Sequence, residues 1–402
     1  MKIALVAQHT IPLRGERPGG QADDDIRIRE LSRGLAADGH DVTVYAQRPD
    51  RRAPLHARLC PGVRVEYIGP ARSRNGAGPD GPDDDDLLAR MPAFAAPLRD
   101  RLDDDRPDVV HALRWTSGLA ALPAARDLRI PVVQSFSPLC VTERRHHPVP
   151  PVTGAKRIRL EPAIGRTASA VLADSSDEAS ELARAGVPRR SVKVVPCGVD
   201  IDSFTPEGPA ADRGDRPRLV TVTDLDSYEE LATLLRALAR VPEAELVIAG
   251  GPPRRRLDED PAARKLNELA ASLAVSDRVT FSGQVTRAGL PPLLRSADLL
   301  VNVSDYDPVG MTVLEAMACG TPVVATGTGG GVDAVVDGTT GILVPPRRPA
   351  LLAERIRRLM DHPMQLAAFG VAAADRARSR YSWDRIVAET VAVYDRAADA
   401  AA

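Results

Sequence analysis

The stretch "DPVGMTVLEAMACG" runs from Asp307 to Gly320 and is followed at once by "TPVVAT" (321–326) and "GTGGGVD" (327–333). Asp307-Pro308-Val309-Gly310 reads as a turn, Met311–Cys319 as a helix of strong helix formers, and Gly320-Thr321-Pro322 as its stop. The β-branched run Val323–Thr326 then reads as a buried strand, and a helix set between short apolar runs is the building unit of a parallel sheet. N–H groups from Gly310 to Val313 precede the first intrahelical bond and form an anion site. Asp307 lies before this helix and Glu315 just over a turn inside it. One carboxylate can meet a substrate group while the other accepts hydrogen bonds from vicinal hydroxyls. On spacing alone the other reading stays open: Asp307 caps the helix and Glu315 is buried without a ligand.

The same rhythm extends both ways. Upstream strands are expected at Ile3–Ala7, Val42–Ala46, Val109–His111, Val132–Ser135, Val171–Ala173 and Val192–Val195, with a helix at Ile26–Ala37. It restarts with strand Leu219–Thr223, helix Glu229–Arg240, strand Glu245–Ala249, helix Arg264–Leu273, strand Val279–Phe281, helix Gly289–Ser296 and strand Leu299–Val303. Gly341–Val344 and terminal helices close the chain. Such alternation implies an α/β class with parallel sheets and right-handed crossovers. The Pro/Gly/Asp-rich segment 197–217 reads as a linker between a domain of residues 1–196 and one of residues 218–381, with the last helix, about 382–402, packing back on the first. Two doubly wound domains are then expected to face a central cleft, with ligands at the carboxyl ends of the strands.

Composition narrows the functions. With 402 residues, 44% apolar, 27% charged and a formal net charge of −2, the chain has neither the basic excess of a nucleic-acid binder nor a membrane-length apolar run. Cys60, Cys140, Cys197 and Cys319 lie far apart with no metal-ligand spacing, so neither a disulfide framework nor a zinc site is expected, and a reducing cytoplasm is the expected compartment. The start "MKIALVA" is too short for a signal peptide and reads as a first strand. Residues 69–82 read as a surface loop. Of three acidic runs, Asp83–Asp86 and Asp103–Asp105 read as solvated loops or helix N-termini, whereas Asp23–Asp25 are expected in a loop facing the cleft.

These motifs resemble the retaining family 4 glycosyltransferases, whose signature EPFG…LEAMACGTPVVA becomes "DPVGMTVLEAMACGTPVVA" here, with Asp307-x7-Glu315 in place of Glu-x7-Glu. "MKIALVAQHTIPL…PGGQ", "PDVVHALRWTSGLAAL", "VPRRSVKVVPCGVDIDSFTP", "RSADLLVNVS" and "AVVDGTTGILVPP" extend the match over most of the chain, most closely to an actinobacterial branch of mycothiol-glycosyltransferase-like enzymes. The resemblance implies the GT-B fold of two Rossmann-like domains. It implies a nucleotide-sugar donor, a small-molecule acceptor, no cofactor and no required metal, with a homodimer as a candidate assembly. Gly19 and Gly20 would approach the donor phosphates, where a Cβ would intrude. Gly310, Met311, Thr312 and Val313 would hold the diphosphate, Glu315 the ribose, and Asp307 would lie beside the transferred sugar. The leaving phosphate would help deprotonate the acceptor, while the protein positions both substrates and stabilises an oxocarbenium-like state.

The departures concern charge. The family's VGRLVPRKGVDTLIRAL segment carries an Arg and a Lys on the leaving diphosphate; here it reads "VTDLDSYEELATLLRAL", with Asp224 and Glu229 at those positions and no Arg or Lys between Arg218 and Arg236. Unit charges about 5 Å apart interact by roughly 3 kcal/mol at an effective dielectric of about 20, so the exchange opposes an ordinary diphosphate pose. Four compensations are open: a divalent cation between Asp224 and Glu229, a swing of Arg287 toward the cleft, a different pose of the donor, or an amino sugar on it. Arg287 is otherwise a surface charge. The family's HxH becomes His111-Ala112-Leu113, which leaves His111 either catalytic or a satisfied structural residue. Arg114 and Trp115 follow it and, with Arg144, Arg145 and His146 of "TERRHHP", are the acceptor-side candidates; an exposed basic loop is the other reading of that last cluster. The expected function is glycosyl transfer with retention in specialised metabolism. Its rivals are a catalytically degenerate homologue acting as a binding partner, and a pseudo-glycosyltransferase using an unusual activated donor.

Overall fold

Short β-branched runs that alternate with amphipathic segments become buried parallel strands in the computed structural model, which describes residues 1–8, 20–50, 52–70, 84–146 and 156–401. The chain divides into two compact units. Among the described residues the first takes in those of 1–8, 24–196 and 386–401, and the second 20–23 and 197–385.

The first unit is built on eight strands: β1 (Lys2–Ala7), β2 (Asp41–Gln47), β3 (His56–Cys60), β4 (Val63–Ile68), β5 (Val109–Leu113), β6 (Val132–Ser135), β7 (Ala170–Ala173) and β8 (Val192–Val194). Their order is β3-β4-β2-β1-β5-β6-β7-β8, parallel except for the edge pair β3–β4. The chain leaves β1 for β2 on one side and returns to β5 on the other, so the strand order reverses between β1 and β5. On one face Phe94, Leu98 and Leu102 of the helix Asp84–Asp105 and Ala120, Ala121 and Ala124 of the helix Trp115–Arg126 cover Ala4, Val6, Val110 and Ala112. Small residues let the second helix approach closely. Gly34 of the helix Gly20–Ala37 serves the same end: a Cβ there would stand 2.4 Å from Val387 Cγ2 in the helix Trp383–Asp399.

The second unit holds β9 (Arg218–Val222), β10 (Glu245–Ala249), β11 (Val279–Gly283), β12 (Leu299–Asn302), β13 (Val323–Thr326) and β14 (Gly341–Val344), all parallel in the order β11-β10-β9-β12-β13-β14. Here the reversal lies between β9 and β12. Leu231, Leu234, Leu235 and Leu238 of the helix Tyr228–Leu238 fill one face, and Val313, Leu314 and Met317 of the helix Met311–Ala318 fill the other. In segment 197–217, Phe204 is buried in this core, and Gly198 leaves room for the Trp383 ring.

Three local expectations change. Asp23–Asp25 lie in the first turns of the helix Gly20–Ala37 and not in a loop, because a helix N-terminus accommodates consecutive carboxylates. Asp103–Asp105 end a helix and do not begin one. The chain turns at Arg106 with φ 47°; the Tyr45 hydroxyl donates to the Asp105 carboxylate, and the Lys2 ammonium donates to the Asp105 carbonyl and lies 3.9 Å from the carboxylate. β3 and β4 form where none was expected. Residues 71–82 of the expected surface loop lie outside the described residues. All four cysteines are free thiols, and among the described residues no helix is long and apolar enough to cross a membrane.

Candidate functional site

In the second unit the loop after β12 meets the glycine-rich turn after β13. Gly310 opens the helix Met311–Ala318 in the left-handed region, φ 72°. Gly330 lies so close to this loop that a Cβ would be 2.3 Å from the Val309 carbonyl oxygen, and the Gly330 N–H donates to the Asp307 carbonyl at 2.8 Å. The two turns therefore brace one another. Only glycine permits the contact, which accounts for the "GTGGG" run.

Asp307 is a cap. Its Oδ1 accepts from the N–H groups of Val309 at 3.2 Å and Gly310 at 2.7 Å, and its Oδ2 accepts from Asn302 Nδ2 at 3.1 Å. The anion site expected over Gly310–Val313 is corrected accordingly, since the Gly310 N–H is already taken by a carboxylate. The first intrahelical bond runs from the Leu314 N–H to the Gly310 carbonyl at 3.0 Å, so the N–H groups of Met311, Thr312 and Val313 precede the ladder.

Glu315 is 2% exposed, and its carboxylate pairs with the Arg287 guanidinium. Burial pushes its carboxyl above the usual carboxylate range; Arg287 pulls the other way. Arg287 also lies 4.4 Å over the Phe204 ring. Arg287 is thus no bare surface charge: it pairs with a buried carboxylate inside the helix Met311–Ala318. Asp224 and Glu229 are exposed, at the end of β9 and in the first turn of the helix Tyr228–Leu238.

Three neighbours complete the charge pattern around this loop. Glu230 accepts from the Ser304 hydroxyl at 3.1 Å and the Asp305 N–H at 2.7 Å, and burial raises its carboxyl. Asp305 takes both its oxygens to Arg347 Nε at 3.0 Å, and Arg347 lies within electrostatic reach of Glu229 and Glu230. A cation from the loop after β14 therefore faces the acids. Nothing in the local pattern at "PPRRP" announces that pairing, which is made by the fold. Among the described residues no group of three or more His, Cys, Asp or Glu is placed to hold a metal ion.

In the first unit the carboxyl ends of β5 and β6 and the helix Gly20–Ala37 line a pocket that includes Asp24, Arg27, Arg114, Ser135, Phe136 and Ser137. Arg114 occupies φ 71°, ψ 159°, a region nearly reserved for glycine and costing about 1–3 kcal/mol for other residues. It is held there from both sides: its N–H donates to the Ser135 carbonyl at 2.8 Å, and its carbonyl accepts from Gln134 Nε2 at 3.0 Å. Its Nε donates to Asp24 Oδ2 at 2.6 Å and its Nη2 bonds the same oxygen. Burial lifts the Asp24 carboxyl above its ordinary value, against the pull of Arg114. Arg27 pairs with the buried Asp174.

The other acceptor-side candidates sit elsewhere. Trp115 is 6% exposed and packs in the core against Phe136, Leu139 and Ile164, a correction that follows from its apolar bulk. Arg144, Arg145 and His146 form the last turn of the helix Cys140–His146, where cations suit the helix dipole, and none lines the pocket. Arg145 turns to Glu181 through bonds of 2.7 and 3.0 Å. His111 is fully buried, with Nδ1 2.7 Å from the Tyr394 hydroxyl and Nε2 2.9 Å from the Ser135 hydroxyl. Burial pushes its imidazole down to about 3, so it is neutral and both nitrogens serve the core. The catalytic reading of His111 gives way to the structural one. Gly19 lies outside the described residues, and Gly20 is the first residue of its helix.

Comparisons with known proteins extend over both units. Residues 26–203 match the model described as Glycosyltransferase Family 4, and residues 208–376 that described as Glycosyl transferases group 1. D-inositol 3-phosphate glycosyltransferase of Streptomyces bingchenggensis is 32% identical over 418 residues, covering 98% of this chain and 89% of that protein. D-inositol 3-phosphate glycosyltransferase 2 of Catenulispora acidiphila is also 32% identical, covering 98% and 95%. Among solved structures, sucrose-phosphate synthase from Thermosynechococcus elongatus matches with a TM-score of 0.84 at 27% identity, covering 99% of each chain.

Proposed function

The chain belongs to the GT-B glycosyltransferases that join a family 4 module to a group 1 module, and from that premise we propose that it carries a sugar from a nucleotide donor to a hydroxyl of a small cyclitol-like acceptor. The observation that carries the donor side is the Arg287–Glu315 pair on the helix that follows β12, next to the β9/β12 reversal. The N–H groups of Met311–Val313, which precede the helix's hydrogen-bond ladder, favour a phosphate. Arg287 supplies a cation that the segment after β9 lacks, and Glu315 offers a carboxylate to ribose hydroxyls. Asp307, whose carboxylate orients the loop, lies beside the transferred sugar in this reading. The positive charges needed by the leaving diphosphate come from N–H dipoles and Arg287, so the proposed transfer calls for no metal.

The acceptor class follows from the relatives, which are named for D-inositol 3-phosphate. A cyclitol or its monophosphate is the proposed partner, bound in the first unit at the pocket of Arg114. Retention of configuration rests on the resemblance of the Asp307–Ala325 segment to retaining enzymes, and a role in specialised metabolism on the actinobacterial relatives. In a titration against UDP-, GDP- and TDP-sugars, with and without Mg²⁺, at least one should bind or be hydrolysed slowly, and Glu315→Ala should abolish that binding. Silence across the panel would sink the proposal. NMR of the product's anomeric proton tests retention.

A further inference from the structure

We propose that Arg114 and Asp24 form a hydroxyl-reading pair that selects an uncharged polyhydroxylated acceptor over its phosphorylated form. This rests on the acceptor reading of the first-unit pocket given above and decides between the two acceptor classes named there.

The pair has a particular pattern of used and spare atoms. Arg114 commits Nε and Nη2 to one oxygen of Asp24, Oδ2. Among the described residues, Arg114 Nη1 and Asp24 Oδ1 make no hydrogen bond, although both side chains line the pocket and keep 33% and 20% exposure. A spare donor and a spare acceptor thus belong to one pair of pocket-lining side chains. A ligand hydroxyl both donates and accepts, so the hydroxyls of a polyol can satisfy the two atoms. A phosphate dianion only accepts; it can use Nη1 but brings its charge against Asp24 Oδ1.

Among the described residues the rest of the pocket lining adds no surplus of positive charge. Its second guanidinium, Arg27, pairs with the carboxylate of Asp174, which is 1% exposed. Among the described residues each lining arginine is thus paired with a carboxylate, whereas phosphate sites gain from unmatched cations and forked N–H donors. The strained backbone of Arg114 adds a separate sign of function. Glycine would adopt φ 71°, ψ 159° with less strain, yet the chain places an arginine there and clamps its N–H and carbonyl. An arginine at such a position is explained by what its guanidinium reads.

The test measures binding of myo-inositol and of D-inositol 3-phosphate to the full chain by calorimetry, followed by transfer from the accepted nucleotide sugar. Wild type should bind inositol about tenfold or more tightly than the phosphate, in the manner of a site that rejects a ligand leaving its polar groups unmatched. Asp24→Asn should reverse that order, because Arg114 then faces no carboxylate. Arg114→Gly, which suits the observed backbone, should keep the fold and raise the acceptor KM without changing the donor KM. Tighter binding of the phosphate by wild type, an unchanged ratio in Asp24→Asn, or no binding of either probe at millimolar concentration would overturn the inference. Should inositol bind with this selectivity and receive no sugar, the selectivity stands and the acceptor reading fails. If the phosphate is the better acceptor, the acceptor reading stands and the selectivity fails.

Discussion

The Arg287 guanidinium pairs with the Glu315 carboxylate while lying 4.4 Å over the Phe204 ring, so one side chain neutralises a buried acid and covers apolar surface. Arg287→Ala leaves Glu315 buried without its cation. A stability loss of about 3 kcal/mol is expected, less than for a fully enclosed pair because Arg287 keeps 29% exposure. The double variant Arg287→Met with Glu315→Gln should recover much of that stability and none of the nucleotide-sugar binding. Denaturant unfolding and donor titration of the three variants separate the two roles.

Asp307 offers a cleaner division between holding a turn and supplying charge. Asp307→Asn keeps an oxygen for the Val309 and Gly310 N–H groups, whereas Asp307→Ala removes it. The alanine variant should lose about 1–2 kcal/mol with the turn's hydrogen bonds, and the asparagine variant much less. If the carboxylate's charge also serves the sugar, Asp307→Asn should depress kcat while leaving the melting temperature near that of wild type. Steady-state kinetics beside thermal unfolding read both outcomes.

Tyr394 and His111 give the opposite case, a polar pair with a structural role. Tyr394→Phe strands His111 Nδ1 in the core, and a loss of about 1–3 kcal/mol is expected. The kcat of the folded fraction should stay within about twofold of wild type, since neither ring nitrogen is offered to substrate. A large drop in kcat at unchanged stability would restore a catalytic role to His111.

These contrasts mark what the sequence makes legible. The strands of both sheets were readable because a strand buried on both faces is a continuous apolar run, as in Ile3–Ala7 and Val323–Thr326. "VRVEYI" at Val63–Ile68 carries a plain two-residue alternation and was available to the same reasoning; the exposed edge strand His56–Cys60 has no such signal. Asp23–Asp25 were misplaced because Asp disfavours helix interiors, though it suits a first turn. Partnerships such as Arg287 with Glu315, or Arg347 with Asp305, join residues 28 and 42 positions apart. No local pattern encodes them, and only the strand order brings them together. His111 and Trp115 show the converse: residues of catalytic or binding type that the fold spends on its core.

Glu178 predicts a pH dependence of the first unit. Its carboxyl is buried, accepts from the Asp174 N–H at 2.7 Å, and is pushed up to about 8 by burial and then by the neighbouring Asp174, with Arg27 opposing. A raised folded-state value means that the native chain binds the extra proton between about 4.5 and 8. The stability tied to Glu178 is therefore fully present below pH 4.5 and is lost as pH rises toward 8. Glu178→Gln keeps an acceptor for the Asp174 N–H and removes the titration. Thermal unfolding against pH should show a flatter descent in the variant over that window, and parallel curves would disprove the assignment.

Asp224 and Glu229 are exposed acids where the resembling family carries cations, and Arg347 already faces Glu229. Exposed charges are screened, so each should act on the donor diphosphate more weakly than a buried one. Asp224→Arg with Glu229→Lys should tighten nucleotide-sugar binding by about tenfold, equivalent to about 1.4 kcal/mol, and steepen its salt dependence. The same exchange should make Arg287 less critical: Arg287→Ala in that background should lose less donor affinity than it does alone. A double-mutant cycle on donor affinity measures this. Equal losses in both backgrounds would mean that Arg287 does not stand in for the missing cations, and that its work is confined to holding Glu315.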